Sequence, residues 1–167
     1  GINNQLSQFL IILFLFFFIK TNNYFLVMII ISLILFSVFN FQDKVFFGSA
    51  SVYLISFMIF NFSIFYHKND LIFADEIFIM LLYPGLDMIR LFFHRILNKK
   101  NPFIGDRNHI HHLINLNHNQ LKVIFFNTFP VVISLIIILL PFNNLYGIIF
   151  LIFYYLLILN INRNKIK

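Results

Sequence analysis

The chain has 167 residues, of which 60% are hydrophobic and only 11% are charged, and its formal net charge is +6. Soluble domains average about 25% charged residues, so this composition argues strongly against a water-soluble enzyme, a disordered tail or a nucleic-acid-binding domain. It indicates a single polytopic membrane domain, and the absence of cysteine excludes disulfides and thiolate metal sites.

Six apolar runs follow one another along the chain, and a membrane-spanning helix needs roughly 20 such residues. The runs are continuous and lack the alternation of a membrane barrel, which favours helices. We therefore predict an all-α fold, a transmembrane bundle of about six helices. The predicted spans are Leu6–Ile19, Tyr24–Asn40, Ser51–Tyr66, Leu71–Phe93, Val123–Pro141 and Leu145–Ile161.

One large polar and basic connection, His94–Lys122, separates the fourth and fifth predicted spans. Lys and Arg concentrate in cytoplasmic loops. With this connection in the cytoplasm, only Lys20 and Lys68 fall on the opposite side of the membrane. The ten basic residues at cytoplasmic ends are Lys44, Arg90, Arg95, Lys99, Lys100, Arg107, Lys122, Arg163, Lys165 and Lys167. This bias predicts that the loop and the C-terminus are cytoplasmic.

The fourth predicted span is unusual because it contains ionisable residues. Asp87, Arg90 and His94 share one helical face, and ionisable groups within a span usually face a cavity or one another. Two interpretations remain open, a self-neutralising Asp87–Arg90 pair at the interface and a functional site. We expect Asp75 and Glu76 to be ordinary interfacial residues.

A dense group of residues able to carry charge lies in the loop. Seven consecutive positions hold Asp106, Arg107, His109, His111 and His112. Three interpretations compete: a metal site with imidazole ligands, an anion site in which Arg and His hold a diphosphate, and a solvated loop. The anion site is favoured, because no second cluster in the sequence supplies the remaining zinc ligands and an ordinary loop would rarely gather so many histidines.

The stretch from Pro84 to His112 resembles the polyprenyl-phosphate N-acetylhexosamine-1-phosphate transferases, membrane enzymes typified by undecaprenyl-phosphate GlcNAc-1-phosphate transferase. Their pattern is a Pro, an Asp three residues later, basic residues, and then Ser-Pro-Phe-x-x-Asp-Arg-x-His-Ile-His-His. This chain has Pro84, Asp87, Arg90 and Arg95, followed by Asn101-Pro102-Phe103-Ile104-Gly105-Asp106-Arg107-Asn108-His109-Ile110-His111-His112. Asn101 replaces the serine.

Two weaker resemblances lie upstream. The start, Gly1-Ile2-Asn3-Asn4, resembles the end of Asp-Gly-Ile-Asp-Gly, with Asn3 at the second Asp. The segment Phe46-Phe47-Gly48-Ser49-Ala50-Ser51 resembles Phe-Met-Gly-Asp-Ala-Gly, with Ser49 at an Asp that the family associates with Mg²⁺. We therefore expect the chain to be the C-terminal part of a longer transferase, with degenerate metal positions at Asn3 and Ser49.

The resemblance implies a specific reaction at the cytoplasmic face of a bacterial inner membrane. A polyprenyl phosphate attacks the β-phosphate of a UDP-N-acetylhexosamine, UMP leaves, and the lipid-linked sugar starts a cell-envelope polysaccharide. Mg²⁺ or Mn²⁺ is the implied cofactor. The residues implied to bind or orient the substrate are Asp87, Arg90, Asp106, Arg107, His109, His111 and His112.

Neutral residues at positions 3 and 49 bind Mg²⁺ more weakly than carboxylates do, so we expect catalysis to be impaired, altered, or completed by another part of the protein. The alternative is a non-catalytic, truncated or degenerate binding or assembly subunit of the same family. A metal transporter with a His loop is a third possibility, but it predicts acidic or His residues in several spans, and most spans here lack them.

Overall fold

The computed structural model describes residues 5–42, 44–103, 109–115, 120–140 and 143–162, with only the backbone described at His112, Asn115 and Gln120. These residues form seven helices and contain no strand, so the all-α prediction is confirmed. The helices are α1 (Gln5–Thr21), α2 (Tyr24–Phe41), α3 (Ser49–Lys68), α4 (Ala74–Leu97), α5 (Ile110–Asn115), α6 (Gln120–Leu139) and α7 (Asn144–Asn162).

Five of the described helices, α2, α3, α4, α6 and α7, are long and apolar enough to cross a membrane. At 1.5 Å per residue they measure about 27–36 Å, which matches a hydrocarbon core of about 30 Å. Helix α1 has 17 residues and is somewhat shorter. These helices agree with the predicted polytopic bundle.

The helix bounds around the large loop differ from the prediction. Helix α4 extends to Leu97 rather than Phe93, α6 begins at Gln120 rather than Val123, and α5 lies between them. Hydropathy marks only the apolar part of a helix, whereas backbone hydrogen bonds continue into the polar turns beyond it. The connection between α4 and α6 is therefore shorter than the stretch predicted from hydropathy.

Helix α4 ends in a sharp chain reversal. Lys99 has a positive φ of 54°, and its N–H donates to the Ile96 carbonyl at 2.9 Å. The N–H of Lys100 donates to the Arg95 carbonyl at 2.9 Å. These two bonds form a Schellman motif, which usually has glycine at the left-handed position. The reversal directs the following residues back along α4.

The described residues form two compact units, 5–78 and 79–162. In the first unit α1 is apolar on all sides, and Leu13, Phe14, Phe16 and Phe17 are completely or almost completely buried. The Phe14 ring lies 6.3 Å from that of Phe62 on α3. Helix α3 in contrast buries one residue, Tyr66, within its described length. An apolar helix this exposed is suited to contact with lipid.

An ion pair links α1 to the start of α4 in the first unit. The Lys20 ammonium pairs with the Glu76 carboxylate, which also accepts the Phe73 N–H at 2.9 Å. Glu76 is buried, whereas Asp75 is exposed. The sequence assigned Glu76 no role, whereas the structure gives it a partner 56 residues away. Hydropathy does not reveal a pairing between residues so far apart in sequence.

Hydrogen bonds between side chains and backbone tie α7 to α6 in the second unit. Pro130 lies inside α6 and has no N–H to donate to the carbonyl of Phe126, four residues before it. The Tyr154 hydroxyl of α7 donates to that carbonyl at 2.7 Å. Tyr83 of α4 donates to Asn127 at 3.0 Å. The three long helices of this unit thus share polar contacts within an apolar interior.

Candidate functional site

Asp87 is a buried carboxylate that binds donors from three parts of the second unit. Its Oδ1 accepts from Arg90 Nη2 at 2.7 Å and from the Tyr155 hydroxyl at 3.2 Å. Its Oδ2 lies 3.0 Å from His109 Nδ1. The Ile110 N–H lies 3.3 Å from both oxygens. We call these five residues the Asp87 cluster.

The local sequence explains how the cluster assembles. Asp87 and Arg90 are three residues apart on α4 and therefore meet on one face. Tyr155 comes from α7, and its hydroxyl also accepts from Arg90 Nε at 2.9 Å. A carboxylate removed from water is costly unless donors surround it. The cluster thus satisfies Asp87 and fixes the start of α5 against α4 and α7.

The two histidines at the start of α5 stack on one another. The rings of His109 and His111 are 5.4 Å apart and nearly parallel, with an interplanar angle of 11°. Because Asp87 is an acceptor, it favours a proton on His109 Nδ1 and leaves Nε2 as the nitrogen that a ligand can address. The His109 side chain is 37% exposed, so the ring remains accessible while Asp87 holds it.

Three of the residues predicted from sequence, Asp87, Arg90 and His109, therefore come together, and His111 stacks beside them. Their contacts go beyond a self-neutralising Asp87–Arg90 pair. His94, on the same face of α4, instead lies with its Nε2 3.2 Å from the Asn98 amide.

The other predicted positions are separate from this cluster or lie outside the described residues. Ser49 is the first residue of α3, in the first unit. Asn3, Asp106 and Arg107 lie outside the described residues, and so does the His112 side chain.

Sequence reasoning missed Tyr155 and the backbone N–H of Ile110. Tyr155 lies in a strongly apolar span, where a tyrosine is easily taken for one more lipid-facing aromatic residue. The signal that was available is that a buried tyrosine hydroxyl needs a partner, and an acidic residue in another span is a natural acceptor. Periodicity alone does not reveal which pair of helices brings the two together.

Within the described residues, no three or more His, Asp or Glu side chains are grouped so as to hold a metal ion. The oxygens of Asp87 already bind protein donors, and the Arg90 guanidinium beside them would repel a cation. Ser49 offers a neutral hydroxyl. These described residues therefore do not fit a Mg²⁺ or Mn²⁺ centre by themselves.

Charge and geometry instead suit the recognition of an anion. A buried carboxylate anchors a short helix with two stacked imidazoles at its start, and the same sequence motif contains Arg107. Imidazole and guanidinium groups donate strong hydrogen bonds to phosphate oxygens. Comparisons of the chain with protein-family models, with curated proteins and with solved structures found no match. The chemistry of the site itself therefore carries the functional interpretation.

Proposed function

We propose that this chain binds a UDP-N-acetylhexosamine at residues 101–112, which we call the His motif, and takes part in transferring the sugar phosphate to a polyprenyl phosphate. The observation that supports this most is the contact between His109 Nδ1 and Asp87 Oδ2, at 3.0 Å. The two residues are 22 positions apart in sequence and belong to separate blocks of the transferase-like pattern. Their meeting in one buried cluster is expected if the blocks build a common site.

The chemistry of phosphoryl transfer is compatible with these residues. An oxygen of the lipid phosphate forms a bond to the β-phosphorus, and the bond from that phosphorus to UMP breaks, with UMP taking the electron pair. Such reactions depend on positioning and charge neutralisation more than on covalent chemistry by the protein. Asp87 and Tyr155 orient Arg90 and His109 in this proposal, and the other donors of the motif hold the diphosphate.

The proposed orientation puts the motif at the cytoplasmic face, where nucleotide sugars are dissolved. The acceptor lipid reaches the same level from within the bilayer, since its phosphate lies at the headgroups and its chain among the apolar helices. The basic residues around the loop attract both anionic substrates.

The decisive assay measures UMP release from UDP-N-acetylhexosamines by the complete protein in membranes containing polyprenyl phosphate. We expect Arg107→Ala to lower UMP release about 100-fold, the usual loss when one donor to a developing oxyanion is removed. Lys68→Ala, which removes an exposed basic residue at the end of α3 and on the opposite predicted face, should leave it near the wild-type value. Absence of both turnover and UDP-sugar binding in the wild-type protein would contradict the proposal.

A second candidate is a binding subunit of the same family without turnover. Ser49, which stands where the resemblance predicts a carboxylate, favours this candidate. It predicts that UDP-sugars bind but no UMP is released, with Mg²⁺ or with a chelator. UMP release by the wild-type protein distinguishes the two candidates. Ser49→Asp then tests the cause of a missing activity, because Mg²⁺-dependent UMP release should appear only if the rest of a catalytic site is present.

A further inference from the structure

The end of α4 carries apolar side chains that are unusually exposed. Leu97 is 82% exposed and Phe103 is 87% exposed, and Lys99 and Lys100 between them are also exposed. Large apolar residues grouped at such exposure usually mark a surface that contacts a membrane or a partner. Here they flank two adjacent positive charges, so a surface that covers them should be both apolar and negatively charged.

The chain in this region folds back along α4. After the reversal at Lys99, Arg95 Nη1 donates to the Pro102 carbonyl at 2.7 Å. The ring of Phe103 lies 6.3 Å from the ring of Phe92. Phe92 is five residues before the end of α4, about 7.5 Å along the helix axis. Measured along the axis of α4, Phe103 therefore lies near Phe92 and not beyond the end of the helix.

Phe92 belongs to α4, a helix long and apolar enough to cross a membrane. Phe93 and Ile96, on the same final turns, are 59% and 46% exposed, as expected for side chains that face lipid. Aromatic rings are enriched at membrane interfaces. Lysine stems can lie along apolar surface while their ammonium groups reach the headgroups. Lysines close to a membrane surface attract anionic lipids.

We propose that the turn at 97–103 is a membrane-interface anchor specific for anionic lipid. Leu97 and Phe103 enter the boundary between acyl chains and headgroups, and Lys99 and Lys100 bind the anionic headgroups. The anchor holds the first residues of the His motif at the bilayer surface. This inference depends on the geometry at the end of α4 and stands whether or not the chain transfers a sugar phosphate.

The chain contains no tryptophan, so Phe103→Trp introduces a single tryptophan at the anchor of the full-length protein, and its emission can be excited apart from that of the tyrosines. In proteoliposomes we expect blue-shifted emission that is quenched by lipids brominated near the carbonyl end, more strongly in phosphatidylglycerol-containing bilayers than in phosphatidylcholine alone. Lys99→Gln and Lys100→Gln should each lower the ratio of docked to undocked turn about fivefold in the anionic bilayer.

Two matched controls accompany this test. Lys68→Gln removes a basic residue at the end of α3 and should leave the emission and quenching of the Phe103→Trp protein unchanged. Phe57→Trp, on the exposed side of α3, should be quenched equally in both bilayers. Water-like emission without quenching at position 103 would overturn the anchor. Quenching that is equal in the two bilayers and unchanged by the two glutamine substitutions would overturn the specificity of the anchor for anionic lipid.

Discussion

Neighbouring acidic residues at the start of α4 have opposite environments. Successive side chains on a helix point about 100° apart, so Glu76 faces the interior of the first unit while Asp75 stays exposed. Glu76 neutralises Lys20, whose ammonium is partly buried, and also accepts the Phe73 N–H. A residue that hydropathy assigns to the interface thus connects two helices.

This difference predicts unequal costs for two conservative substitutions. Glu76→Gln keeps the acceptor for Phe73 but leaves the Lys20 charge without its carboxylate, so we expect a loss of about 2 kcal/mol in unfolding free energy. Asp75→Asn should cost less than about 0.5 kcal/mol. Reversible unfolding in bicelles measures both, and equal losses would show that the buried pair contributes nothing specific.

At the scale of elements, two adjacent tyrosines of α7 form hydrogen bonds to two different helices, α6 and α4. Tyr154 reaches the Phe126 carbonyl of α6, whereas Tyr155 reaches Asp87 and Arg90 of α4. The two residues carry the same chemistry one position apart, which makes them natural controls for each other.

Loss of the Tyr155 hydroxyl should loosen α5. Tyr155→Phe removes a hydrogen bond to a charged carboxylate, and such bonds contribute about 1.5–3 kcal/mol. The chain lacks cysteine, so Leu113→Cys, at a buried position of α5, reports on its docking through maleimide labelling. We expect labelling about tenfold faster with Tyr155→Phe and no change with Tyr154→Phe. Lys44→Cys, at an exposed position between α2 and α3, controls for the reagent.

The proline in α6 predicts a coupling between two substitutions. Pro130→Ala supplies an N–H for the Phe126 carbonyl, which then no longer depends on Tyr154. Tyr154→Phe should therefore cost about 1 kcal/mol in the wild-type chain and close to nothing in the Pro130→Ala chain. A double-mutant cycle in unfolding free energy measures the difference. Additive effects would contradict the compensation.

For the whole molecule, the distribution of Lys and Arg predicts the orientation in the membrane. Cysteine introduced at the exposed Lys44 should react with an impermeant maleimide from the cytoplasmic side, and cysteine at the exposed Asn69 from the opposite side. Right-side-out vesicles expose the outer face of the membrane to the reagent, and inverted vesicles expose the cytoplasmic face. Labelling of both positions from one side would contradict the predicted topology.

The sequence by itself determined the membrane class, the helical fold and five of the spans, because each depends on local composition and on backbone hydrogen bonds made within one segment. It also singled out Asp87, Arg90 and the histidines, since ionisable residues are conspicuous in an apolar chain. It did not indicate Tyr155 as a partner of Asp87, Lys20 as a partner of Glu76, or the return of Phe103 to the level of Phe92. Those contacts depend on how separate helices pack and on how the chain reverses after α4. Only the tertiary structure decided them, because packing brings together residues that are distant in sequence, and local hydropathy does not show which residues these are.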